Sequence, residues 1–213
     1  MADRFDRASA ARRASAAAWL VVVFLIAAAM PVRAQSSDAL TVPKTLVERA
    51  TDARSAADIK RDDAIVRAVD KAMADAGTIE ASAETYEQRL VVTGLFDDKD
   101  AYDRFEKAVR AIRGVKRLYW QVADLPKSEQ AARRTAGTLI DWADVLTMET
   151  RAEGRLIGAA GISDVNFRIA GDVFGTLYVL GRARSKDEAD KAIAGAKNGA
   201  GVRKVVSYID VRP

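Results

Sequence analysis

The sequence predicts an α+β protein built as two tandem α-β-β-α-β units, each a three-stranded mixed sheet with two helices packed on one face. Two observations carry this expectation. The first is a repeat at an offset of 87 residues. Leu90-Val91-Val92-Thr93-Gly94 … Gly114-Val115-Lys116-Arg117 returns as Leu177-Tyr178-Val179-Leu180-Gly181 … Gly201-Val202-Arg203-Lys204. Self-similarity at a fixed offset marks one small unit made twice. The second is that apolar residues in each copy change between the helical period and the alternation of strands.

The elements follow in order. Asp62-Asp63 precede Ile65, Val69 and Met73, spaced as one face of a helix, and Gly77 ends it. The acidic pair is expected at the helix start, where the dipole favours negative charge. Residues 79–84 and 89–96 read as strands joined by a short polar turn. Asp97-Asp98 cap a helix over 99–112 with Ala101, Phe105, Ala108, Val109 and Ile112 as its stripe. Residues 115–122 form the third strand. In the second copy, Asp144 precedes a helix with Val145, Met148, Ala152, Leu156 and Ala159 inward. Strands follow over 162–170 and 176–183, then a helix capped by Ser185 and a last strand over 202–211. The first helix and strand align at an offset of 83, so four extra residues are expected in the second hairpin, around Gly171-Asp172-Val173-Phe174-Gly175.

The first 34 residues read as a secretory signal. Arg4, Arg7, Arg12 and Arg13 make a positive region, 16–30 is an apolar run, and Val32-Arg33-Ala34 is a small-residue cleavage site. The alternative is a retained anchor, but 15 apolar residues fall short of the roughly 20 that span a bilayer. Arg12-Arg13 is read as ordinary positive charge. The expected boundaries are a signal peptide at 1–34, a linker at 35–60 (partly helical over 45–57), a first domain at 61–124, a linker at 125–140 and a second domain at 141–213.

The formal net charge is +4 at pH 7, but five Arg and two Asp lie in residues 1–34, leaving about +1 beyond them. That balance argues against nucleic acid as a partner. The chain has no Cys and no His. Disulfides, thiol nucleophiles and an acylated lipoprotein cysteine are excluded, and so are histidine triads and the usual zinc and haem ligation. No cofactor and no metal are expected. Asp62-Asp63 and Asp97-Asp98 sit where caps belong rather than across a cleft, so a non-catalytic protein is expected.

The strand Leu177-Tyr178-Val179-Leu180-Gly181, the helix opening Lys186-Asp187-Glu188-Ala189 and the strand Gly201-Val202-Arg203-Lys204-Val205-Val206 resemble the BON domain (bacterial OsmY and nodulation). The resemblance covers roughly 135 of the 179 residues that follow the signal. Two BON copies behind a signal resemble dual-BON envelope proteins of Gram-negative bacteria. The resemblance implies a periplasmic, non-catalytic protein of envelope maintenance and osmotic stress, acting near the outer membrane. Some members bind anionic phospholipid. Several dual-BON relatives are lipoproteins, and this chain departs from them in having no cysteine.

Candidate lipid-contacting residues fall in the second copy. Arg182, Arg184, Arg203 and Lys204 (with Lys186) could meet lipid phosphates, each near-surface cation contributing about 1 kcal/mol. Arg110, Arg113, Lys116 and Arg117 are the first copy's cluster. The competing reading is a solvated face with favourable charges at helix ends. Phe174 at the expected hairpin tip and Trp142 before a helix could enter a membrane interface. Alternatively, Trp142 staples the helix start and Tyr178 packs on the sheet. Trp120 is expected to be a packing residue, with the space between the domains as one place for it. Gly94, Gly114, Gly181 and Gly201 are expected to be structural, ending helices or allowing close approach. The partner is thus an anionic phospholipid surface. The alternative is an envelope protein or a second copy bound through exposed sheet edges.

Overall fold

In the computed structural model the described residues are 52–213. The signal, the 35–51 part of the first linker and the cleavage site lie outside them. Among the described residues no helix is long and apolar enough to cross a membrane. The order is α1 (Ala56–Ala76), β1 (Ala81–Tyr86), β2 (Arg89–Phe96), α2 (Lys99–Arg110), β3 (Arg117–Asp124), α3 (Lys127–Thr135), α4 (Trp142–Leu156), β4 (Phe167–Gly171), β5 (Thr176–Ala183), α5 (Lys186–Lys197) and β6 (Lys204–Val211). A 3₁₀ turn, Asp164–Asn166, precedes β4. Over the described residues the protein is α+β, with two three-stranded mixed sheets and five α-helices. Each sheet has its first two strands antiparallel and its second and third parallel, with β2 and β5 central.

Each repeat builds a core between its helices and one sheet face. Ile65, Val69 and Met73 of α1 meet Phe105 and Val109 of α2 over Leu90 and Val92. Met148, Ala152 and Leu156 of α4 meet Ala189, Ala192 and Ala196 of α5 over Leu177 and Val179. The opposite sheet faces close on each other. Tyr86 and Val91 from the first sheet pack with Ala170, Tyr178 and Leu180 from the second, and Tyr119, Val206 and Tyr208 join them. The layers therefore run helices, sheet, sheet, helices. All eight residues of β2 are buried, because both its faces are covered.

Polar groups fix the contact between sheets. Arg89 at the start of β2 donates to Gly181 O (2.7 Å), near the end of β5, and to Tyr208 O (2.8 Å) in β6. Tyr119 stacks on Tyr208 with ring centroids 3.7 Å apart. Tyr86 OH donates to Asn166 Oδ1 (3.0 Å). Strands in the two sheets thus run in opposite directions.

The structure departs from the sequence pattern at several points. Helix α1 starts at Ala56, capped by Ser55, whose side chain accepts from Asp58 N. Residues 52–55 are not helical. Asp62 is therefore no cap. It is 1 % exposed in the second turn of α1, and its carboxylate accepts from Glu87 N (2.9 Å), Gln88 N (2.7 Å) and Arg54 Nη1 (3.0 Å). The turn it holds has Glu87 and Gln88 both at positive φ, 53° and 63°. That two-residue turn lets β1 run two residues beyond the expected end, and it starts two residues later. The left-handed conformation is unfavourable for such residues, and a buried carboxylate on both N–H groups offsets the cost.

The extra residues of the second copy also lie elsewhere. Ala81 pairs with Gly94 and Phe167 with Gly181. The first strands therefore correspond at an offset of 86 (167 − 81), and the second strands at 87. Most of the insertion sits between α4 and β4, where the 3₁₀ turn replaces the first half of the strand expected over 162–170. The 125–140 segment, read as a linker, contains helix α3. Trp120 packs within repeat one, its Nε1 donating to Tyr102 OH (3.0 Å) beside Phe105, and not between the repeats.

The glycines at positions 94 and 181 face the neighbouring first strand closely. A Cβ on Gly181 would lie 2.2 Å from Asn166 O, and one on Gly94 would lie 2.9 Å from Glu80 O. Gly114 and Gly201 have φ of +90° and +87° with open space around them, in the turns that enter β3 and β6. A Gly181→Ala protein should lose about 2 kcal/mol through overpacking against backbone, and its melting midpoint by circular dichroism should fall by roughly 4–8 °C. Gly114→Ala meets only the left-handed penalty, about 1 kcal/mol, and should melt closer to the parent. Equal losses in the two would contradict this assignment.

Candidate functional site

Strand β5 separates the residues singled out in the sequence into two groups. It has eight residues, so its ends lie roughly 23 Å apart.

At its start lie Trp142, Phe174, Arg203 and Lys204. The hairpin Gly171–Thr176 is held by Asp172, whose carboxylate accepts from Phe174 N (2.9 Å), Thr176 N (2.8 Å) and Tyr178 OH (2.8 Å). Burial, then the Asp172 carboxylate, push the Tyr178 hydroxyl well above its ordinary pKa. Val173 is 1 % exposed, and its carbonyl accepts from Ile140 N (2.9 Å). Phe174 and Trp142 are half-buried against a cluster of Leu95, Leu139, Val145 and Val173. The hairpin tip expected to project is docked instead on the segment between the repeats. Arg203 spans the same junction. Its guanidinium donates to Gly137 O (2.6 Å), Thr138 O (3.1 Å) and Phe174 O (3.4 Å). Lys204 is exposed at the first position of β6.

At the other end lie Arg182 and Arg184, beside a cavity of about 150 Å³ lined also by Ala53, Ser163 and Asn166. Arg182 Nη2 donates to Pro213 O (2.8 Å). Arg184 pairs with Glu188 (Nε–Oε2 3.0 Å). Glu188 is buried and also accepts from Ser163 N and Arg184 N, both at 2.7 Å. Burial pushes its carboxyl upward, but these hydrogen bonds outweigh burial and hold it below its ordinary pKa. The Arg184 side chain is 60 % exposed, so the ion pair leaves it facing solvent.

The other basic residues are dispersed by local pairing. Arg110 pairs with Glu106 one turn earlier and lies over Trp120, and Lys186 pairs with Asp190. Arg117 lies over the Tyr119 ring at 6.0 Å.

Glu149 is an ionisable residue that carries no motif in the sequence. Glu149 occupies the inward face of α4 between Val145 and Ala152, and accepts from Gly171 N. A signal existed, since the residue falls on the helix's apolar stripe. Burial pushes its carboxyl up to about 8; nearby Glu84 and Glu153 add to this, and the Gly171 N–H opposes it. Among the described residues no cluster of acidic side chains could hold a metal ion.

Residues 149–213, the greater part of the second repeat, match the model of the BON domain family. That family is in general non-catalytic and is known in envelope and stress proteins. Over 128 residues the chain is 29 % identical to an uncharacterised protein from the gshII 5′ region of Anaplasma centrale, covering 59 % of this chain and 78 % of the relative. Two solved structures of CdsD, a structural protein of the Chlamydia trachomatis type III secretion system, are similar at 13 % and 12 % identity. They have TM-scores of 0.27 and 0.28, each over 70 % of this chain and 93 % and 98 % of theirs.

A raised carboxyl stabilises the fold below its unfolded pKa, and that contribution is lost as pH climbs through the folded value. Stability should therefore fall by on the order of 3 kcal/mol between pH 5 and 8 through Glu149. Glu149→Gln keeps the acceptor and removes the charge. Its urea midpoint should stay flatter over that range; a slope equal to the parent's would rule out Glu149 as the source.

Proposed function

We propose that this is a non-catalytic envelope-maintenance module, exported to the periplasm behind a cleaved signal, that associates with anionic phospholipid. The observation that carries the reading is the cavity between Arg182 and Arg184. Four of the five residues that line it, all but Ala53, fall in the BON-matched repeat, and the guanidinium of Arg184 beside it is exposed. A headgroup phosphate there would accept N–H groups that the two arginines do not use internally. The bonds Arg203 makes to three carbonyls, and the packing of Phe174 and Trp142, give the opposite end a structural task. The reading therefore rests on Arg182 and Arg184, whereas Lys204 lies at the far end of β5.

The test is co-sedimentation of the protein, produced from the full coding sequence, with vesicles that contain or lack phosphatidylglycerol. Binding should require the anionic lipid and weaken with salt. Arg182→Ala/Arg184→Ala should reduce it by about tenfold or more, at about 1 kcal/mol per cation. Phe174→Ala should lose stability rather than affinity. Binding unaffected by the double substitution would overturn the site.

A second reading, a protein–protein adaptor, is favoured by one observation. The outer strands β3 and β6 remain half-exposed along most of their length.

A further inference from the structure

Among the described residues, strands β3 and β6 are the outer strands of their sheets, and each leaves one backbone edge without a strand. Each is eight residues long and free of proline. They lie on the same side of the molecule, since Tyr119 of β3 stacks on Tyr208 of β6 and Gln121 Nε2 donates to Tyr208 OH (3.2 Å). The opposite side is different. There β1 and β4 have six and five residues, and the chain before α1 crosses near them, Ala53 N donating to Asn166 Oδ1 (2.7 Å). Long, flat edges invite pairing, and proteins usually shorten, cover or break them. Among the described residues, one side has those protections and the other lacks them.

The two bare edges share a geometry. Strands in the two sheets run in opposite directions, and Tyr208 sits level with Tyr119, so Ser207 is level with Trp120 and Gln121. A twofold axis perpendicular to the sheets would pass both edges at that level. An antiparallel partner related by such an axis keeps each side chain on its own face. A residue can then stand opposite itself.

We propose that a second copy of this chain pairs along β3 and β6 about this axis, joining two three-stranded sheets into two six-stranded ones. This supplies the adaptor reading with its occupant and is independent of the lipid site. With Ser207 opposite itself, Lys204 faces the second copy's Asp210, and Val205 faces its Ile209. Val206 faces its Tyr208. Charges of opposite sign meet at both ends of β6, and apolar residues meet between them. Val205 and Ile209 both border the helix-side core, while Val206 and Tyr208 both border the inter-sheet core, so each facing pair extends an existing layer. Lys204 and Ser207 are exposed, and the Asp210 side chain is 50 % exposed while contacting Arg89. The association is an isologous dimer, self-complementary along its length.

Residue 207 at the axis gives a decisive test. By sedimentation equilibrium, the protein should be dimeric at on the order of 100 µM. Ser207→Lys and Ser207→Glu each place like charges face to face, and each should weaken the dimer by about tenfold or more. An equimolar mixture of the two variants should restore it as a heterodimer. A parent that stays monomeric, a single variant that dimerises as well as the parent, or a mixture that stays monomeric would each overturn the proposal. Vesicle binding measured on the Ser207→Glu monomer keeps the outcomes apart: if retained, the lipid reading stands whatever the association state.

Discussion

A three-stranded sheet with helices on one side has a second face that must also leave water. In this protein each repeat is the other's cover, and the remaining features follow from that contact. Tyr86, Val91, Ala170, Tyr178 and Leu180 are all under 7 % exposed only because the two sheets meet. Burying apolar side chains of this size is the main favourable term available to a chain without disulfides. Cross-sheet polar groups then choose one alignment. Arg89 reaches two carbonyls of the other repeat, Arg212 pairs with Glu87, and Arg168 lies 4.0 Å from Glu84. Arg89 Nε has no hydrogen-bond partner among the described residues. A buried guanidinium is costly, so its presence is better explained by fixing the orientation than by adding stability.

Much of the fold was legible because it is written in local periodicity. The helix stripes, the glycines facing Glu80 and Asn166, and the parallel third strands all have sequence correlates within a few residues. The errors lie where a distant partner decides. Asp62 looked like a helix cap because it adjoins Asp63 and precedes an apolar stripe. Its real partners, Glu87 and Gln88, are about 25 positions away. The same pair carries no Gly or Asn, so nothing local signalled a left-handed turn. Burial of β2 on both faces was half visible, since Leu90, Val91 and Val92 are all apolar, but no pattern within one repeat names the surface that covers the second face.

The candidate site was less legible, for a related reason. A run of cations in sequence does not say which of them are already paired. Helical geometry brings Arg110 to Glu106 and Lys186 to Asp190, and the turn leading into α5 brings Arg184 to Glu188. Such pairs are worth little to stability, yet they alter how much charge a ligand would meet. Phe174 misled by its place in a loop, which usually means exposure. The segment between the repeats folds back as a helix and seats the hairpin, so a loop residue becomes part of a satellite core.

The face-to-face packing also orders events in time. A chain that emerges N-terminus first frees residues 81–124 to fold before residues 167–211. The first sheet can close its helix-side core at once, but Tyr86, Val91 and Tyr119 remain wet until the second sheet exists. Most contacts that finish the first repeat join residues some 80 to 120 positions apart. Such pairing is slow to form, and a half-covered sheet is the species most exposed to misassembly. What looks in the finished molecule like two equal halves is, as the chain emerges, a template and its lid.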